Sequence, residues 1–257
     1  MCYDDNARPP IPPGVGGGGG SQSEDLTLTA ADGNRFTAFA AHAAQPKNAQ
    51  VLIYPDVRGL HQFYRELALR FAEAGITALA MDYFGRTAGP TARDDAFEYM
   101  PHVEKMTWPA FLNDVRASVS HLRSLVSPPQ PIFTMGFCMG GALSLYSSTE
   151  DLGLAGVIAF YAGMRRVWDE KKGPLPDAAL HSKVPVLGLF GGADQGIPRE
   201  QVQALDEVLD KTGVSHSIHI YDGAPHSFFD RRYAEWKDAC DDAWTKIFKF
   251  IETHQQR

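Results

Sequence analysis

Cys138, Asp194 and His226 are the three residues of this chain whose types and order could together break an acyl bond. Cys138 stands in Gly136-Phe137-Cys138-Met139-Gly140-Gly141, where the apolar run from Pro131 to Met135 passes directly into Ala-Leu-Ser-Leu-Tyr, a helix start. A Gly-x-nucleophile-x-Gly turn needs small residues, because a sharp strand-to-helix reversal strains the nucleophile and brings strand and helix backbones close together. Asp194 follows Gly191-Gly192-Ala193 and His226 follows Ala224-Pro225, each just past a further apolar run. Gly-x-Cys-x-Gly alone is a weak signal; its weight comes from the acid and the histidine at later strand ends. The alternative makes Cys138 a small core residue, Asp194 a helix N-cap before Ile197-Pro198, and His226 a loop histidine.

Placement suggests roles. Cys138, at the start of a helix beginning near Met139, would feel the positive end of the helix dipole, which favours thiolate. His226 could move a proton between nucleophile, leaving group and water, with Asp194 fixing its tautomer. The Met139 N–H, with a second N–H from the loop after the apolar run 50–55, expected at Val57, would cradle an oxyanion. Nucleophile, acid, then histidine is the chain order of the α/β-hydrolases.

Apolar runs of strand length, near 26–30, 35–41, 50–55, 76–81, 131–136, 154–161, 184–190 and 215–221, alternate with amphipathic stretches. Val51-Leu52-Ile53-Tyr54 and Val157-Ile158-Ala159-Phe160 lack polar alternation, as strands buried on both faces do. The expected fold is therefore α/β, an α/β-hydrolase fold with a mostly parallel central sheet and helices on both faces. The first two strands, joined through Asp32-Gly33-Asn34, read as an antiparallel edge hairpin. Polar residues just beyond the strands are the ones to collect, because ligands bind outside the carboxyl ends of such a sheet. A last helix over 232–253 places Tyr233, Trp236, Cys240, Trp244, Ile247, Phe248 and Ile251 in one apolar stripe, making Cys240 a packed core thiol. Residues 1–24, Pro-rich and then Gly-rich, are expected as a flexible, extended arm before a single domain over 25–257, and Cys2 within it as incidental. No apolar strand precedes the glycine run and no Gly-Lys-Ser/Thr follows it, which argues against a phosphate loop.

The chain has 257 residues and a formal net charge of -7, and its 24 Lys and Arg are scattered, so the footprint of a nucleic-acid binder is missing. No secretory signal or membrane-spanning run is visible, and three irregularly spaced cysteines suit neither a disulfide framework nor a zinc site. The expectation is a cytoplasmic protein, a monomer or small homo-oligomer acting on a small molecule, without nucleic acid, membrane or cofactor. His216 and His219, three apart in a strand, point to opposite faces and share no metal.

On these residues the chain resembles the dienelactone hydrolase family. The resemblance runs over roughly 25–252 and rests on Asp56 with Gly59, Asp82-Tyr83-Phe84-Gly85-Arg86, the Cys138 elbow, Gly191-Gly192-Ala193-Asp194 and His226-Ser227-Phe228. It implies hydrolysis of an activated ester or lactone through a cysteine acyl-enzyme. It also implies an acidic residue that modulates the thiol, at Asp56, one methylene shorter than the usual glutamate. If that carboxylate lies near Cys138 it would oppose the helix dipole and keep the thiol neutral at rest; otherwise Asp56 is a turn residue capping the next loop. Arginines grip a substrate carboxylate in the family, which points to Arg86 as the first; the second position holds Asp230, so Arg231 or Arg232, immediately following, is expected to serve in its place after a small loop shift. The substrate implied is a carboxylated enol-lactone, whose enolate leaving group suits a thiol nucleophile. The alternatives are a carboxylesterase or thioesterase on the same scaffold, or an idle fold with a redox-responsive thiol.

Overall fold

The apolar runs become strands. A computed structural model of the chain describes residues 7–15, 21–94, 96–230 and 232–255, and contains β1 (Gln22–Thr29), β2 (Arg35–His42), β3 (Gln50–Tyr54), β4 (Thr77–Met81), β5 (Ile132–Phe137), β6 (Gly156–Phe160), β7 (Val186–Gly191) and β8 (His216–Tyr221). They form one sheet in the order β1-β2-β4-β3-β5-β6-β7-β8. The pairs β1–β2 and β2–β4 are antiparallel and all later pairs parallel, so the edge hairpin and the parallel body stand as expected. Every residue of β3 to β7 is buried, which is why these segments show no polar alternation.

The helices α1 (Gln62–Glu73), α2 (Gly85–Ala88), α3 (Met100–Lys105), α4 (Trp108–Ser124), α5 (Met139–Ser147), α6 (Arg199–Thr212) and α7 (Lys237–His254) cover both faces. Each long helix turns one apolar stripe inward; that of α1 buries Phe63, Tyr64, Leu67 and Phe71, each such side chain contributing roughly 1.5–3 kcal/mol of burial. Because β3 to β8 run parallel, their carboxyl ends share one rim, and the loops after them carry the candidate site. Among the described residues no helix is long and apolar enough to cross a membrane.

Two stretches differ from the sequence reading. Where a flexible arm was expected, Ala7, Pro9, Pro10 and Pro12 are buried against the body, and the Trp244 indole N–H donates to the Pro10 carbonyl at 3.1 Å. Proline has little backbone freedom left to lose on docking, so composition alone understates what such a segment can do. β1 also begins at Gln22, inside the span assigned to the arm, because all eight of its residues find antiparallel partners on β2. Cys2 and the glycine run 16–20 lie outside the described residues. α7 begins at Lys237 rather than near 232, and Tyr233 and Trp236 join the apolar face from a preceding turn.

Candidate active site

β5 ends at Phe137, α5 begins at Met139, and Cys138 alone makes the reversal, with φ 54° and ψ −111°. A non-glycine residue seldom holds this conformation, and here its surroundings enforce it. The Cys138 N–H donates to the Phe160 carbonyl at 3.1 Å, and its own carbonyl accepts from Ala142 N–H at 3.1 Å and Gly163 N–H at 3.4 Å. The flanking glycines are required by contact: a Cβ on Gly136 would stand 1.9 Å from the Gly140 carbonyl oxygen, and one on Gly140 2.1 Å from that of Pro55. Helix start and strand end thus touch backbone to backbone, and the half-buried Cys138 lies at the rim of the sheet.

Two rim loops bring the acid to the histidine. Gly192 N–H donates to Tyr221 O at 2.8 Å and Ala193 N–H to Ala224 O at 2.9 Å, zipping the loop after β7 to the loop after β8. His226 Nδ1 then lies 2.6 Å from Asp194 Oδ2, across 32 residues of sequence. With Nδ1–H donated to the carboxylate, Nε2 carries the lone pair of a base. Asp194 is almost wholly buried, and its Oδ1 accepts from Gly196 N–H at 2.8 Å and Ile197 N–H at 3.2 Å. It therefore holds its own loop while its other oxygen faces His226; the N-cap of α6 is Pro198, not Asp194 as the alternative reading had it.

The rim also presents two amides. Among the described residues neither the Val57 N–H nor the Met139 N–H has a hydrogen-bond acceptor. Met139 opens α5, so its amide is one that a helix start leaves unpaired. The contact of Gly140 with the Tyr54 and Pro55 carbonyls sets the Val57 loop beside the elbow.

Residues 36–255 match the model of the dienelactone hydrolase family. The chain belongs to that family. As a member it is a dienelactone hydrolase-like enzyme, a hydrolase of ester or lactone bonds. A candidate carboxymethylenebutenolidase of Saccharolobus solfataricus is 26% identical over 255 residues, covering 86% of this chain and 95% of its own. Another, of Escherichia coli strain K12, is 24% identical over 226 residues, covering 83% of this chain and 82% of its own. The α/β-hydrolase fold recurs in a crystal structure of a candidate dienelactone hydrolase from Klebsiella pneumoniae (TM-score 0.77, 21% identity, 90% of this chain and 98% of that one). It recurs too in a dienelactone hydrolase-like promiscuous phosphotriesterase from metagenomic libraries (TM-score 0.73, 20% identity, 92% and 99%).

The charged residues around the rim depart from what the family resemblance led us to expect. Arg86 does not present an open fork: its Nε and Nη2 donate to both oxygens of Asp114 at 2.9 Å, while Nη1 and Nη2 donate to Asp32 at 2.7 and 3.1 Å. Burial pulls the guanidinium's pKa down, but hydrogen bonds and charge from Asp32 and Asp114 outweigh it and leave a net rise. The hydrogen bond from Arg86 correspondingly holds Asp32 well below the usual carboxylate range. With its planar face already filled by two carboxylates, Arg86 has no bidentate seat left for a third. Arg231 lies outside the described residues, and Arg232 pairs with Glu235 at the surface. Asp230, in the place of the second arginine, is buried and accepts from the Tyr161 hydroxyl at 2.7 Å.

Asp56 is buried in the loop just after β3, and its Oδ1 accepts from Arg58 N–H at 2.9 Å. One carboxylate oxygen therefore shapes the turn that bears Val57. Tyr161 was missed in the sequence: its ring lies 4.8 Å from that of His226, at φ 33°, directly after β6. In the sequence Tyr161 reads as the last residue of the apolar run 154–161, whereas β6 ends at Phe160 and leaves Tyr161 just beyond it.

Proposed function

We propose that the chain hydrolyses activated esters or lactones through a thioester on Cys138. The observation that carries this reading is the Asp194–His226 pair, 2.6 Å apart, on the rim that also bears the strained Cys138 elbow. The Cys138 sulfur, its proton passed to His226 Nε2, attacks the substrate carbonyl carbon. The carbonyl electron pair moves onto oxygen, where the Met139 and Val57 amides receive the charge. Collapse re-forms the carbonyl and breaks the bond to the leaving oxygen, which takes the proton from His226. Water, deprotonated by His226, then adds to the thioester; the second collapse releases the carboxylic acid and expels the Cys138 thiolate, which takes the proton back from His226. The imidazolium formed in each half is stabilised by Asp194.

A thiolate is itself a good leaving group, so it competes only when the oxygen it displaces leaves readily. This favours enol-lactones and aryl esters over alkyl esters and amides. The occupied fork of Arg86 favours a substrate gripped by its reacting carbonyl rather than by a carboxylate at that residue.

Turnover of an aryl ester tests the reading: Cys138→Ala should lose at least about a thousandfold in kcat, and unchanged turnover would reject the mechanism. A paired panel of a carboxylated enol-lactone and its methyl ester, run on wild type and Arg86→Lys, tests the substrate reading. The expected ratio of KM values is the same in both proteins; a tenfold rise confined to the anionic substrate in Arg86→Lys would restore Arg86 as the grip on a substrate carboxylate.

A further inference from the structure

The amide of Val57 belongs to the peptide unit it shares with the Asp56 carbonyl, and in a trans peptide these two groups point in opposite directions. Whatever holds the Asp56 carbonyl therefore aims the Val57 N–H. Two donors hold it: the Gly59 N–H at 3.1 Å and the hydroxyl of Tyr83. The preceding peptide is held as well: the single proton of the Tyr83 hydroxyl is shared with the Pro55 carbonyl at 2.7 Å, and the Asp56 N–H donates to the Tyr64 hydroxyl at 2.9 Å. Tyr83 comes from the loop after β4, the strand beside β3, so the clamp ties two neighbouring strand ends. Its ring is buried and held edge-on by Phe84 at 4.8 Å and Phe111 at 6.1 Å, which leaves the hydroxyl little freedom.

Building on the proposed thioester chemistry, we propose that Tyr83 is a positioning residue that aims and polarises the Val57 amide toward the substrate oxyanion. Aim follows from the antiparallel peptide. Polarisation follows because donation to a carbonyl draws charge through the amide and strengthens its N–H as a donor. Together they would keep one oxyanion donor in place before substrate arrives, so that none of its orientation is left to the reaction step.

The test separates reactions of Cys138 that form an oxyanion from one that does not. Acylation by an aryl ester puts negative charge on the carbonyl oxygen. Alkylation by iodoacetamide forms the S–C bond as C–I breaks and iodide leaves, with no oxyanion at all. Tyr83→Phe keeps the ring and removes the hydroxyl. It should lower kcat for the ester about 10- to 100-fold, a fraction of the loss for deleting a whole oxyanion donor, with KM within about threefold and the iodoacetamide rate within about twofold. Tyr64→Phe acts on the peptide one step back, so it should show the same pattern in smaller measure, and it carries the test if Tyr83→Phe does not fold. An unchanged ester kcat, or equal falls in acylation and alkylation, would overturn the positioning role. Wild-type turnover that survives full alkylation of Cys138 would overturn the thioester reading and this inference with it, whereas a failure confined to the tyrosine variants overturns only the inference.

Discussion

Two thiols within the described residues, Cys138 and Cys240, occupy opposite environments, and the contrast separates a site from a core. Cys240 lies inside α7 with no exposure, in a stripe with Ala243, Trp244 and Ile247. Burial pushes its thiol up to about 12, with the charges of Asp241 and Asp230 adding to the rise. Cys138 sits half-buried at a strand end, in a backbone conformation that only its neighbours' contacts sustain. Regular backbone satisfies itself and buries what it carries. The irregular single-residue turn leaves the Cys138 thiol and the Met139 amide without a hydrogen-bond partner among the described residues, which are the resources that a reaction can use.

The strongest way to break this contrast is to relax the turn. Gly136→Ala should cost more than about 3 kcal/mol in denaturant unfolding, because its Cβ would meet the Gly140 carbonyl oxygen at 1.9 Å and neither backbone can retreat. Gly213, which ends α6 at φ 69° with open space around its would-be Cβ, provides the comparison. Gly213→Ala should cost only about 1 kcal/mol, the strain of the left-handed conformation alone. Equal costs at the two positions would mean that the elbow is no tighter than an ordinary helix end.

A second test reads the thiols directly. At pH 8 a thiol raised to about 12 is ionised in about one molecule in ten thousand, so limited iodoacetamide treatment followed by peptide mapping should label Cys138 and spare Cys240. Labelling of Cys240 should rise on unfolding, which both exposes it and lowers its pKa toward the ordinary value. Comparable labelling of the two in the native protein would erase the distinction.

Much of the contrast was legible in the sequence. The unbroken apolar runs identify the buried strands, their ends locate Cys138, Asp194 and His226, and helical spacing puts Cys240 in the core. What could not be read there are partnerships between loops. Arg86 matches a family position, yet nothing in its neighbourhood announces that Asp32, in the first hairpin, and Asp114, in α4, will occupy its fork. Tyr83 reads as part of a motif, while its meeting with Asp56, 27 residues earlier, exists only because β4 lies beside β3 in the sheet. Periodicity reports how one element faces the core; it carries nothing about which side chains meet across the rim. The first turn of α7 shows the same limit: the apolar spacing runs on through Tyr233 and Trp236 although the helix has not yet begun.

The smallest expected effect is the most discriminating for Cys240. Its thiol lies 3.5 Å from the Phe228 carbonyl, two residues beyond His226, so it joins α7 to the loop that carries His226. If packing is its whole role, Cys240→Ala should cost about 1–2 kcal/mol at pH 7, for one buried heavy atom and the small cavity left behind, and turnover should stay within about twofold. The pH dependence has a definite sign. In the unfolded chain the thiol ionises from its ordinary value near 9, while the folded protein keeps it protonated up to about 12. Its contribution to stability is therefore complete below pH 9 and is lost as the pH rises through that window. The alanine variant has no such loss, so the gap between the two denaturation midpoints should narrow above pH 8, close at about pH 10 and reverse by about pH 11. A gap that stays constant would mean that the Cys240 thiol is not held protonated by burial, and the clearest difference between the two cysteines would disappear.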